Sequence, residues 1–356
     1  MRQLRVSTRD ALGGGLLSAS GEADGVKLSV VICTRDRPET IGQALESVAA
    51  CRYPSFDVHV MDQSTTTRTR DIVEAVRQQC PATCRIHYHH LDRIGLSHAS
   101  NAGLRAADGA IVAYTDDDVV VPADWLTRIA AAFEADPYAG LIYGQVLVPE
   151  SLQEACAAGT VVPSVRFERR ERLVKGMGFK ARGMGANMAI RRSLFERVGG
   201  FDEVLGGGGP LRSSQDCDFA FRAYRSGMAI LLLPDVQVDH YGARTPEQWV
   251  DTLKNYGIGD GAFYSKHIRC GDVLALWLFV KGLLRIRARQ IVGLVTEGRW
   301  RRDPYVEHLF RGVRDAWKFA IDRERRLFRE TPHARTAATP ANMVTPSRRR
   351  DDGPSR

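Results

Sequence analysis

An apolar run, Ile111-Val112-Ala113-Tyr114, breaks off at three consecutive carboxylates, Asp116, Asp117 and Asp118, and apolar residues resume at Val119. A short apolar run bounded by turn residues marks a strand buried on both faces. Such a strand needs a sheet covered by helices. It also puts the aspartates at a carboxyl end, where open α/β sheets hold their ligands. Adjacent carboxylates raise one another's pKa unless a cation lies between them. Mg2+ or Mn2+ takes one or two carboxylates and completes its shell with phosphate oxygens and water. The stretch therefore has two readings: a site for a metal–diphosphate, or a solvated acidic turn with Asp117 capping the next helix.

The residues on either side extend the pattern. Lys27–Cys33 reads as a buried strand, followed by a turn and a helix that begins at Pro38 and has Ile41, Leu45 and Val48 on its apolar face. Phe56–Met61 is a second strand ending at Asp62, Thr66–Gln79 a helix, and Arg85–His90 a third strand leading into Leu91-Asp92-Arg93-Ile94-Gly95. Ser97–Ala107 is helical. Strands and helices alternating at this spacing predict βαβ units and a parallel sheet. Thr34, Arg35, Asp62 and Arg93 then share one edge with Asp116–Asp118. A carboxylate at Asp62 suits a base imide N–H, and Arg93 suits a base or a phosphate. Each alone is equally a turn or cap residue; together on one edge they favour a site.

Farther on, Pro122–Ala135 reads as helix and Tyr138–Val148 as strand. Residues 150–182 read as irregular. Their charge-dense run Arg166–Arg172 is either a solvated face or a loop over the site. The small residues of Gly183–Arg192, with Gly185, Ala186 and Asn187 among them, let a backbone pass close to a ligand. Val198–Glu203, which includes Asp202, reads as a turn, and Gly206–Gly209 as mobile by composition. Serine before the pattern that starts at Gln215 predicts a capped helix with Asp216 and Asp218 in its first turn. Asp218 pairs with Arg222 four residues on. Asp216 has no such partner, which leaves it either a dipole-stabilising acid or a general base. Ala229–Leu233 and Val236–His240 are strand, with His240 at the end, and Pro246–Lys266 is helix.

Hydrophobic content of 44% over 356 residues is that of a globular protein with a sizeable core. The formal charge of +8 fits anionic partners without choosing among them. Because the basic residues concentrate in the C-terminal third while the proposed site is acidic, nucleic acid is not the expected partner. The seven cysteines are irregularly spaced, and Cys80-x-x-x-Cys84 has no second pair at zinc spacing. Reduced thiols in a cytoplasmic protein are the simplest account. The first 25 residues lack a signal-peptide h-region and read as a flexible leader.

The ordered blocks VVICTRDRPETIGQALESV, VMDQS, DRIGLSHASNAGL, YTDDDVVVPADWL, GANMAIRRSLFERVGGFDE and SQDCDFAFRAYRSG resemble those of family 2 glycosyltransferases over about residues 27–245. The resemblance implies a GT-A fold: a Rossmann-like, mostly parallel central sheet flanked by helices, here with a C-terminal helical extension. It implies a nucleotide-sugar-binding half over 26–125 and an acceptor half over 126–265. A helical region over 266–330 and a disordered basic tail over 331–356 would follow. Thr34, Arg35, Asp62 and Arg93 would hold the nucleotide sugar, and Asp116 would face the ribose. Asp117 and Asp118, with His240, would carry Mn2+ or Mg2+ on the donor diphosphate. Gly185, Ala186, Asn187 and Asp202 would line the acceptor or sugar pocket, and Asp216 would be the catalytic base. Gln215 stands where the family usually has Glu. The implied reaction is inverting transfer from a nucleotide-diphosphate sugar to a glycan or lipid-linked acceptor, in the synthesis of cell-surface polysaccharide or glycoconjugate. The rival readings are an inactive glycosyltransferase-like binding protein and a nucleotidyltransferase; for the latter, CTRDRPET is not the required phosphate loop.

VLALWLFV over Val273–Val280 precedes a lysine and then Arg285, Arg287 and Arg289. No run reaches the ~18 apolar residues of a spanning helix. A buried helix and a basic interfacial helix against an anionic membrane both fit, the second placing the protein peripherally on the inner membrane face. Trp300, Tyr305, Trp317 and Phe319 read as further arginine-rich helix.

Overall fold

The computed structural model describes residues 26–179, 183–297 and 303–330. In chain order the elements are β1 (Leu28–Thr34), α1 (Pro38–Ala49), β2 (Phe56–Asp62), α2 (Arg68–Gln79), β3 (Cys84–His90), α3 (Leu96–Ala106), β4 (Ile111–Asp116), β5 (Val119–Val120), α4 (Trp125–Ala135), β6 (Ala139–Leu147), α5 (Gln153–Ala157), β7 (Glu171–Leu173), β8 (Asn187–Arg191), α6 (Arg192–Val198), α7 (Gln215–Ser226), β9 (Ala229–His240), α8 (Pro246–Arg269), α9 (Val273–Glu297), α10 (Pro304–Asp315), β10 (Ala320–Asp322) and β11 (Leu327–Arg329). The expected leader, tail and Trp300 lie outside the described residues.

Nine strands form one sheet in the order β3-β2-β1-β4-β8-β6-β9-β5, with β7 also on β9. β3, β2, β1 and β4 run parallel, and so do β6 and β9. β8 is inserted antiparallel between β4 and β6. The chain thus has the expected α/β architecture with a mostly parallel sheet. β1 shows why both faces are covered. Val30 and Ile32 join Ile41, Leu45 and Trp125 in one core cluster, while Val31 joins Leu104, Tyr114 and Phe219 in another. Successive strand residues point to opposite faces, so an unbroken apolar run feeds two cores.

Several local expectations change. Residues 183–192 contribute strand β8, and the charge-dense run ends in edge strand β7, where Arg170 meets Asp235 at 2.9 Å and Arg172 meets Asp136 at 2.6 Å. That is a solvated, paired face. The Gly206–Gly209 run is held by hydrogen bonds: Leu96 N–H donates to Gly207 O at 2.8 Å and Gly209 N–H to Gly206 O at 3.0 Å. Ser214 occupies the position before α7 but does not cap it. Its backbone is left-handed, with φ 69°, and its hydroxyl donates to Asp260 at 2.6 Å. Residues 316–330 form a short 3-10 turn and the hairpin β10–β11 where helix was expected. α8 and α10 touch backbone to backbone: a Cβ at Gly261 would lie 2.0 Å from Leu309 O. Among the described residues no helix is long and apolar enough to cross a membrane. The seven cysteines are free thiols.

Candidate active site

The carboxyl ends of β1, β2 and β4 lie level, with Thr34 opposite Asp62 and Cys33 opposite Asp116. The pairing of β9 with β5 sets His240 opposite Val119, next to Asp118. One ligand atom from each of Asp116, Asp118 and His240 falls within 4.8 Å of the other two. Asp117, expected among the metal ligands, is not in this group. Its Oδ2 accepts from Thr34 Oγ1 at 2.7 Å and its Oδ1 from Arg37 Nη1 at 2.6 Å. Asp116, expected to face a ribose, takes its place. The turn at 117–118 sends the first and third carboxylates one way and the middle one toward β1.

The site's electrostatics follow from burial and like charge. Burial first, then Asp118, pushes the Asp116 carboxyl up to about 7. Asp117 is pushed up to about 6 by burial, against the pull of Arg37 and Thr34. Burial acts on Asp118 in the same direction, but His240 and Arg37 outweigh it and hold that carboxyl at about 2. Arg37 donates to both Asp117 and Asp118 and was not singled out from the sequence, where it reads only as a turn residue before Pro38.

The residues fit a divalent cation. A carbonyl can only accept, so the 2.8 Å contact with Pro163 O puts a proton on His240 Nδ1. Burial works against it, yet Asp118 and Asp116 raise the pKa of His240, so Nε2 presents a lone pair to Asp118 Oδ1, 3.3 Å away, once a cation has displaced its proton. That oxygen is buried without a hydrogen-bond partner. Two such acceptors face each other stably when a cation lies between them, and a hydrogen-bonded second nitrogen is the usual support for a metal-binding histidine. Gly242 leaves the space. A Cβ there would lie 2.6 Å from Asp118 Oδ2 and 2.6 Å from His240 Nε2. Its φ is not in the left-handed range, so it is the methyl of an alanine, rather than the backbone, that the site would refuse. Gly242→Ala is expected to weaken Mn2+ binding ~10–100-fold, the range typical when the groups around a metal ligand are disturbed, with the melting temperature nearly unchanged. Mn2+ titration followed by electron paramagnetic resonance reads this directly, and an unaltered affinity would remove Gly242 from the site.

Asp216 stands apart from this cluster, in the first turn of α7. Its Oδ2 accepts from Gly185 N–H at 3.1 Å and its Oδ1 from Cys217 N–H at 2.8 Å. No cation pairs with it among the described residues. Burial raises its pKa, and the two backbone donors offset this only in part. Tyr256 on α8 ties the two regions together. Burial, then the charge of Asp216, and after it that of Asp116, push its hydroxyl up. The charges of Asp216 and Asp116 thus both reach Tyr256.

The other expected residues separate into near and far. Asp62 is fully buried at the strand edge, where it accepts from Tyr88 OH at 2.8 Å and Ser64 N–H at 2.8 Å. Arg35 is half-exposed beside Asp36. Arg93 reaches Glu203 at 2.8 Å and also pairs with Glu330, so acids already occupy its guanidinium. Of the four pocket candidates, Gly185 touches Asp216. Ala186 is core. Asn187 is consumed by Trp125 Nε1, Gln145 O and Val236 O. Asp202 is buried against Lys266 Nζ at 2.5 Å and accepts from Phe328 N–H at 2.8 Å. These last three are structural. Sequence reasoning also missed Gln63, whose amide pins the 93–95 loop to β2 through Arg93 O and Gly95.

Comparison with known proteins agrees with this geometry. The family described as glycosyl transferase family 2 matches residues 29–199. An uncharacterized glycosyltransferase of Nostoc sp. is 24% identical over 179 residues, 50% of this chain and 55% of its own length. A beta-monoglucosyldiacylglycerol synthase of Synechocystis sp. is 24% identical over 222 residues, 62% of this chain and 44% of its own. The chain thus spans about half the length of these curated relatives. A mannosyltransferase from Pyrobaculum calidifontis, solved in complex with GDP-Man and Mn2+, superposes with a TM-score of 0.54 at 21% identity, covering 82% of this chain and 80% of that one. At that identity the likeness establishes the GT-A fold.

Proposed function

We propose that this chain, whose residues 29–199 match glycosyl transferase family 2, transfers a sugar from a nucleoside diphosphate donor to an acceptor hydroxyl with inversion. The observation that carries this reading is the convergence of Asp116, Asp118 and His240 at the sheet edge, together with a buried Asp216 whose pKa is raised and which has no cation partner among the described residues. Asp62 and Thr34 border the nucleoside, and Asp116, Asp118 and His240 hold a divalent ion, Mn2+ or Mg2+. The halves before and after residue 125 serve donor and acceptor respectively. When bound, the ion neutralises negative charge on the departing diphosphate.

Asp216 takes the proton from the acceptor hydroxyl. The oxygen attacks the anomeric carbon from the face opposite the leaving group, and the bond to the diphosphate breaks as the new one forms. No glycosyl–enzyme intermediate is required. The two backbone N–H donors keep the Asp216 carboxylate aimed, while burial keeps it basic. A glycan or lipid-linked acceptor, in the making of a cell-surface polysaccharide or glycoconjugate, is the expected class, and the lipid alternative suits the name of the Synechocystis relative. Calorimetry tests the donor half. UDP and GDP are expected to bind with Mn2+ present and to lose at least about tenfold in affinity with EDTA, because charge neutralisation of the diphosphate is lost. Undiminished binding without metal would overturn the assignment of Asp116 and Asp118.

A further inference from the structure

α9 is apolar on two sides. Its inner side packs inward: Ala275 is fully buried, Leu274 and Leu278 join Phe221 and Phe263, and Phe279 meets Tyr264 at 5.2 Å between ring centres. Its outer side repeats apolar residues at i, i+4, i+7, i+11, i+18 and i+22: Val273, Trp277, Val280, Leu284, Ile291 and Val295. All six are exposed, from 45% at Val280 to 79% at Val295. Residues so spaced lie on one stripe of a helix. None of residues 281–296 is buried, so the second half of the helix leaves the body of the protein with its apolar stripe uncovered.

The charge pattern decides what covers it. Residues 273–296 hold Lys281, Arg285, Arg287 and Arg289 and no acid. Among the described residues no carboxylate pairs with Lys281, Arg285 or Arg289, and Lys281 lies over the Trp277 ring, 4.2 Å from its centre. A second copy of α9 laid along this stripe would bring two sets of four cations together. An anionic surface that also accepts apolar side chains satisfies both features at once, since long basic side chains reach outward while the stripe sinks between acyl chains. We propose that the outer face of α9 docks the protein on anionic phospholipid, with the helix lying in the interface. This step needs neither donor nor metal.

Sedimentation of the full chain with vesicles tests it. Wild type is expected to pellet with phosphatidylglycerol-containing vesicles, poorly with phosphatidylcholine alone, and less at high salt. Leu284→Glu lies at a 66% exposed position and leaves the fold intact; it should bind about tenfold more weakly. The Arg285→Glu/Arg289→Glu variant should lose the preference for anionic vesicles. Binding that is equal in all three proteins, or absent from wild type, overturns the proposal. So does a dimer, seen by analytical ultracentrifugation, that Leu284→Glu dissolves, because the stripe would then belong to a second copy. Nucleoside diphosphate binding, measured on the same samples, reports separately on the proposed function.

Discussion

Asp216→Asn is expected to lower kcat by ~10²–10⁴, the usual worth of a positioned general base, while donor affinity changes little. The amide keeps the shape of the side chain and its oxygen still accepts from Gly185 or Cys217 N–H, so the geometry of the first turn survives. What disappears is the ability to take a proton. The acidic cluster that meets the diphosphate is built from other residues, so a loss confined to turnover separates base from donor site. Asp218→Asn should behave differently. Asp218 is fully buried and bonded to Arg222, Lys266 and His267, so its loss is a loss of stability. If Asp216→Asn turned over at the wild-type rate, or lost donor binding and kept kcat, the base would be another residue. Because burial raises the Asp216 pKa, kcat in the wild type should also decline on acidification at a pH above that of an ordinary aspartate. The Asn variant should lack that limb.

The sheet was legible because its strands are buried on both faces and therefore written as unbroken apolar runs. Lys27–Cys33 and Phe56–Met61 mark β1 and β2 to within a residue. β8 escaped because Met188-Ala189-Ile190 is too short a run to separate from a loop. It is a strand because β4 and β6 offer hydrogen bonds on either side. The hairpin β10–β11 escaped because its turn is made by Asp322, which accepts from Glu324 and Arg325 N–H, and by Arg326 at φ 57°. Asp322 is a usual turn residue, but the charged run Arg323-Glu324-Arg325-Arg326 after it has no Gly, Pro or Asn and so reads as helix. At the site, spacing alone placed three carboxylates at a strand end, yet which of them turns toward His240 depends on the 117–118 turn and on Thr34. Residues brought in from elsewhere in sequence, Arg37, Pro163 and Gly242, had no local mark at all. The pairing of Asp218 with Arg222 was readable as i, i+4, whereas Lys266 and His267, 48 and 49 residues away, were not.

Lys266→Met is expected to destabilise the fold by ~3–5 kcal/mol, the cost of breaking a buried ion pair by removing one partner. That is a large share of the ~5–15 kcal/mol that holds a domain together. Lys266 is fully buried, 2.5 Å from Asp202 and 2.6 Å from Asp218, and methionine keeps its stem while leaving both carboxylates short of a cation. Arg222 extends the network to the carbonyls of Val198 and Gly200, each at 2.7 Å, and Asp202 holds Phe328 N–H. α7, α8, the 198–204 turn and β11 are thus tied at one point, two residues from Asp216. His267 makes the point sensitive to pH. Its Nε2 donates to Asp218 at 2.9 Å, but its Nδ1 is buried with no partner. Burial, against the pull of Asp218 and with the help of Lys266, lowers its pKa from 6.5 to about 4. The unfolded chain therefore binds a proton below about pH 6.5 that the folded chain refuses until about pH 4. Taken alone, His267 lowers stability as pH drops through that window, by ~3 kcal/mol at its lower end. Asp218, held far below its ordinary value, adds a further loss only below about pH 4. Asp116 and Asp117, raised to about 7 and 6, act in the opposite sense, Asp116 across the whole of that window and Asp117 across most of it. The decisive measurement is therefore the difference between wild type and His267→Gln, whose amide still donates to Asp218 but does not titrate. On going from pH 7.5 to pH 4.5 the urea midpoint of the variant should fall by less, or rise by more, than that of wild type. An identical pH dependence in the two proteins would mean that His267 is not the group whose protonation loosens this junction.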